Sequence, residues 1–178
     1  MRMARSASSP QDRSALDALF DVAYEDLRRL AARVRSDDPG ATLSPTALVN
    51  EAYVKLAESL RLPVESRLHF KRIVGRAMRQ VLVESARRRR AHKRGAAYAF
   101  VTFDERLAVG FSTSDQVLAL DAALDVLAGA APRQAAIVEC RFYGGFNVAE
   151  TARLLEVSEA TVQRDWRTAR AWLLHELR

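Results

Sequence analysis

Apolar residues recur at three- and four-residue intervals from Ser14 to about Arg35, at Leu16, Leu19, Phe20, Ala23, Leu27, Leu30, Ala31 and Val34. That spacing lays one stripe along a helix of about six turns. Asp37-Asp38-Pro39-Gly40 then supplies turn formers. A second stripe, Leu48, Val49, Ala52, Tyr53, Leu56 and Leu60, predicts a helix starting near Ser44-Pro45. Ser44 suits its cap and Pro45 its first helical position. Pro63 falls in the connection that follows. A third helix runs from about Ser66 into an arginine cluster, with Phe70, Ile73, Val74, Ala77, Met78, Val81 and Leu82 facing inward. Gly75 lies within it, and the pattern allows either a break there or one continuous rod.

Periodicity vanishes over residues 95–115, where Gly95, Thr102, Phe103, Gly110, Ser112, Thr113 and Ser114 replace helix formers. That change predicts a flexible linker. Four shorter helices follow at roughly 116–128, 132–143, 147–155 and 158–177. No strand pattern or internal repeat emerges. The expected fold is all-α: a disordered tail over 1–11, a helical domain over 12–95, a linker over 96–115 and a second helical domain over 116–178.

The sharpest local pattern lies in the last of these. Asn147-Val148-Ala149-Glu150 has the form of a capping box. Glu156-Val157 turns the chain, and Ser158 can cap a further helix whose inner stripe is Val162, Trp166, Ala169, Leu173 and Leu177. Its opposite face carries Gln163, Arg164, Arg167 and Thr168. Two helices joined by so short a turn, the second basic on its outer face, describe a helix-turn-helix. Gln and Arg side chains on such a face can reach adenine and guanine edges in bidentate fashion. The alternative is a helical hairpin packed on its neighbours, its arginines merely solvated.

Charge sharpens the picture. Of 28 basic and 22 acidic residues, eleven basic ones fall between Ser66 and Gly95, opposed only by Glu84. The segment carries +10, while the other seventeen basic and twenty-one acidic residues leave the rest at −4. A block of this density suits a polyphosphate partner, because each neutralised phosphate releases condensed counterions. A single cysteine, Cys140, excludes a disulfide scaffold or a multi-cysteine zinc site. Cys140 sits between apolar positions and is expected in the core. His69, His92 and His175 are scattered, and no Gly-rich phosphate loop occurs, so no convergent catalytic, metal or cofactor set is expected. Residues 1–10 lack the apolar middle of a signal peptide and no apolar run approaches membrane length, so a cytoplasmic, membrane-free protein is expected.

These segments, in this order, resemble an ECF-type (extracytoplasmic function) bacterial sigma factor, a promoter-reading subunit of RNA polymerase. LSPTALVNEAYVKL (43–56) is similar to region 2.2, the polymerase-binding helix, and HFKRIVGRAMRQVLVESARRRRAHKRG (69–95) to regions 2.3 and 2.4. The stretch from Pro132 to Leu173 is similar to region 4, with its helix-turn-helix. ATLSPTALVNEAY and RDWRTARAWL further resemble the branch linked to serine/threonine kinases. The resemblance implies a non-catalytic, monomeric protein that binds the polymerase core through the β′ clamp helices and the β flap, together with promoter DNA.

Carried over by position, it implies that Leu48, Asn50, Glu51 and Tyr53 form or support the polymerase-binding face. Arg79, Gln80, Arg87, Arg88, Arg89, Arg90, Lys93 and Arg94 are implied to meet the −10 strand and its phosphates. Gln163, Arg164, Arg167 and Thr168 fall at the family's −35 contacts, in agreement with the helical-face argument. Gln80 replaces the asparagine of many members. At the start of region 2.2 many members carry an acidic run, where this chain has Ser44-Pro45-Thr46-Ala47. Phosphorylation of Thr46, or of the neighbouring Thr42 or Ser44, by a Ser/Thr kinase is one way to supply the missing charge; plain helix capping is the other. A helix-turn-helix regulator that never enters polymerase is the rival function.

Overall fold

The computed structural model describes residues 10–34, 43–59, 66–92 and 113–177. The predicted tail and linker fall almost wholly outside them. Seven helices occur among the described residues, with no strand: α1 (Pro10–Val34), α2 (Pro45–Ser59), α3 (Arg67–His92), α4 (Ser114–Ala130), α5 (Pro132–Val138), α6 (Val148–Leu155) and α7 (Glu159–Glu176). A π-helical turn, Glu139–Tyr143, continues α5. The all-α expectation holds, and α1 starts four residues before the predicted Ser14.

Local chemistry explains the helix starts. Ser44 Oγ accepts the Ala47 N–H at 3.1 Å, and Pro45, needing no amide partner, opens α2. Ser66 does the same for α3 through the His69 N–H at 3.1 Å. Reciprocal capping boxes join Thr113 with Gln116 ahead of α4 and Asn147 with Glu150 ahead of α6. Ser158 accepts the Thr161 N–H at 3.1 Å ahead of α7.

α3 is one unbroken rod of 26 residues through Gly75. The glycine serves a close approach instead of a break. A Cβ there would lie 2.8 Å from the Tyr143 carbonyl oxygen, so α3 and the π turn meet backbone to backbone. The turn itself is closed by the Gly144 N–H on Glu139 O at 3.0 Å, one residue wider than an α-helical bond.

α3 packs against α1, α2, α4, the π turn and α6. One hydrophobic core therefore runs through both halves, from Leu27, Leu48, Phe70 and Met78 to Leu120, Leu124, Tyr143 and Leu173. Phe142, Tyr143 and Cys140 are buried, as their apolar surroundings in sequence predict, and Trp166 and Trp172 pack partly buried against the same core. A smaller cluster, Ile137, Ala152 and Val162, lies under α6 and α7. No helix among the described residues is long and apolar enough to cross a membrane.

Candidate nucleic-acid interface

Three residues, Glu156 to Ser158, separate α6 from α7. Glu156 takes the left-handed conformation (φ 55°, ψ 43°), and the Val157 N–H returns to Ala152 O at 3.0 Å, which reverses the chain sharply. Behind this turn, Val148, Leu155, Val157 and Trp166 pack on the small core. Asp165 is the buried polar anchor of α7: its carboxylate accepts from Arg133 Nε of α5 at 2.6 Å. That ion pair sets the rotation of α7 about its own axis. With Val162, Asp165 and Ala169 turned inward, Gln163, Arg164, Arg167 and Thr168 all lie exposed on the far side. The structure thus brings these four predicted residues together on one open face. Arg167 and Thr168 also bond back to the helix carbonyls of Gln163 and Arg164, at 3.4 and 3.2 Å.

The basic block of α3 is divided. Gln80, Arg87, Arg88 and Arg90 are exposed and Arg89 is half-buried; Lys93 and Arg94 lie outside the described residues. Arg79 faces the second half of the chain. Its side chain is only 15% exposed. Nε donates to Asp121 Oδ1 at 2.9 Å, Nη1 to Glu139 Oε1 at 2.8 Å, and Nη2 to Asp125 Oδ1 at 2.8 Å and to the Asp121 carbonyl at 3.1 Å. Burial alone disfavours this guanidinium's charge, but the Tyr143 oxygen and the Asp121 and Asp125 carboxylates outweigh it and raise its pKa. Arg76 Nε adds a second bond to Glu139 at 3.1 Å, Arg87 approaches Asp121 at 3.5 Å, and Arg90 approaches Asp115 at 3.8 Å. Glu84, the lone acid of the block, pairs with Lys55 of α2.

Sequence reasoning missed Asp121, Asp125 and Glu139 as partners of the basic block. Their signal was the spacing of Asp121 and Asp125, four residues apart on one helical face, together with the net negative charge outside the block. Nothing local linked them to Arg79, which lies 42 residues before Asp121.

On α2, Asn50 and Glu51 are exposed, while Leu48 is fully buried. Tyr53 is half-buried, its hydroxyl donating to Asp17 and its ring 4.3 Å from that of Phe20. The predicted polymerase-binding set thus comprises two presented side chains and two that brace the helix beneath them. Thr46 is exposed in the first turn, which contains no acidic residue.

Among the described residues no group of His, Cys, Asp and Glu is arranged to hold a metal ion. Burial pushes the Cys140 thiol up to about 11, with Glu139 adding to the rise and Arg72 and Arg76 opposing it. Since the native value is raised, the thiol's contribution to stability is complete below about 9 and is lost as pH rises towards 11. Ellman's reagent at pH 8 is accordingly expected to react about a hundredfold more slowly with the native chain than with the denatured one, from thiolate fraction alone. Equal rates would show an open site.

A protein-family model described as ECF sigma factor matches residues 6–178. No curated protein and no solved structure matches the chain.

Proposed function

Because the chain belongs to the ECF sigma factor family, associating with RNA polymerase core and directing promoter-specific initiation, we propose that its two basic surfaces divide the promoter between them. The exposed face of α7 reads the −35 duplex in the major groove through Gln163 and Arg164, with Arg167 and Thr168 beside them. The C-terminal part of α3, with Gln80 and Arg87 to Arg90, tracks the −10 non-template strand and its phosphates. Asn50 and Glu51 on α2 meet the β′ clamp helices, and the protein acts as a monomer without catalysis of its own. The observation that carries this reading is the open, polar face of α7, held outward by the buried Asp165, which accepts from Arg133 of α5.

The kinase-linked branch belongs to the same proposal. Ser44 Oγ already caps α2 through the Ala47 N–H, which leaves exposed Thr46 as the better acceptor of a phosphate than Ser44; Thr42 lies outside the described residues. A phosphate at Thr46 adds a charge of about −1.5 to −2 at the positive end of the helix dipole, where α2 has no acid of its own.

The test is a pull-down of core polymerase with unmodified and kinase-treated protein, followed by run-off transcription. Phosphorylation is expected to raise core affinity on the order of tenfold in wild type and not in Thr46→Ala. Equal gains in both, or none in either, remove the switch. Failure of core binding in every state removes the functional reading, and salt-sensitive duplex binding without polymerase then favours the regulator.

A further inference from the structure

Asp165 is the buried carboxylate of α7, and its two oxygens serve two different arginines. Oδ2 accepts from Arg133 Nε of α5 at 2.6 Å. Oδ1 lies 3.9 Å from Nε of Arg164, the preceding residue of α7. Consecutive helical residues point about 100° apart and do not ordinarily face each other. The Arg164 stem therefore folds back across the helix surface to bring its Nε edge to the carboxylate, while the side chain as a whole stays 66% exposed.

At this separation the contact is an ion pair and not a hydrogen bond, so it orients Arg164 without using up its donors. A guanidinium carries five N–H donors in a rigid, planar fork. Turning the Nε edge towards Asp165 directs the opposite end, the two terminal amino groups, away from the buried side of α7. A pair of such donors is what grips O6 and N7 of a guanine. The neighbours on this face are arranged differently. Arg167 Nε returns to the Gln163 carbonyl at 3.4 Å, and Thr168 Oγ1 donates to the Arg164 carbonyl at 3.2 Å.

The carboxylate is a fixed point. α5 holds it through Arg133, and the adjacent Trp166 ring lies 4.8 Å from the Arg141 guanidinium of the π turn. Val162 and Ala169, about one turn to either side, are fully buried. Two cations around one anion leave the group positive, so it does not set the face against DNA phosphates. Ordering a rotamer-rich side chain on binding costs affinity, and a side chain ordered beforehand avoids that cost. We infer that Asp165 is a positioning residue for promoter reading: it preorganises Arg164 so that the terminal amino groups meet a guanine of the −35 element, with Arg133 holding the carboxylate in place. The inference rests on the proposed reading of the −35 duplex by α7, to which it adds the base selected and the group that aims the selecting side chain.

Core polymerase loaded with the full chain or a variant is used to select from promoter duplexes randomised over the −35 element, and base preference is read position by position in the bound fraction. Arg164→Ala is expected to abolish a guanine preference at one position; loss of another base, or of none, overturns the guanine assignment. Asp165→Asn keeps the shape and removes the charge. It is expected to lower the guanine preference at that same position about tenfold, leaving the others within about twofold. In the Arg164→Ala background it should change nothing further, because its effect passes through Arg164. A loss spread over all positions, or one that adds to that of Arg164→Ala, overturns the positioning role and leaves Asp165 a structural anchor. Circular dichroism checks that Asp165→Asn keeps its helices. Independently of that variant, heteronuclear NMR of the wild-type chain is expected to show the Arg164 Nε–H exchanging with water several-fold more slowly than that of exposed Arg153. Equal exchange overturns the inference by itself. Failure of the wild-type chain to bind core, or of its holoenzyme to select any −35 sequence, instead overturns the functional reading beneath it.

Discussion

Replacing Gln163 and Arg164 together by alanine is expected to weaken binding to the cognate −35 duplex by a hundredfold or more. A well-made bidentate contact to a base edge contributes about 1–3 kcal/mol of discrimination, and both side chains stand on the exposed face of α7. Exposed positions of this kind change stability by only about ±0.5 kcal/mol, so the loss should be one of recognition. Duplex affinity measured on cognate and scrambled sites at several salt concentrations separates the causes. The double variant should lose its preference for the cognate site. Arg167→Ala should instead weaken both sites alike and reduce the salt slope by about one unit, as for a phosphate contact. Equal weakening of both sites by the double variant would assign Gln163 and Arg164 to the backbone and leave base reading to other groups.

The second large effect lies in the core. Phe70 is fully buried on α3, the helix that touches elements of both halves. Truncating such a ring to alanine removes about 3–5 kcal/mol. For a chain of this length that corresponds to a fall of roughly 10 °C in the unfolding midpoint. Both tryptophans, Trp166 and Trp172, lie in α7, in the opposite half from Phe70. If the shared core makes the halves unfold together, their fluorescence transition should shift with the circular dichroism transition in Phe70→Ala. A tryptophan transition that stays at the wild-type temperature would show two independently melting halves. A fall of less than about 2 °C would show a loosely packed Phe70 site.

Much of the interface could be traced to residue spacing. The inward stripe of α7, Val162, Trp166, Ala169 and Leu173, follows from helical periodicity, and so does the outward position of Gln163, Arg164, Arg167 and Thr168. Ser44, Asn147 and Ser158 were recognisable as caps because a short polar side chain beside orphan amides has one obvious use. The π turn at Glu139–Tyr143 was not legible. The pair Gly144-Gly145 signals a helix end, but the widened bonds before it depend on the tight contact with α3 at Gly75 and on the buried Phe146 ring against Gly144. Gly75 was ambiguous for the same reason: a glycine inside a helix looks alike whether it breaks the rod or admits a neighbour.

By itself, the amino-acid order determined the helices, their caps, the faces they bury and the concentration of positive charge between Ser66 and Gly95. These properties arise within a few turns of one helix, where the 3.6-residue repeat ties side-chain direction to position. Only the tertiary structure decided which acids meet that charge. Glu139 reaches Arg79 across 60 residues, and Asp121 across 42, because the packing of apolar faces against α3 sets the distance and angle at which α4 and the π turn arrive. A carboxylate's range of strong attraction is a few ångströms, so its partner is chosen by that packing, which no spacing along the chain encodes.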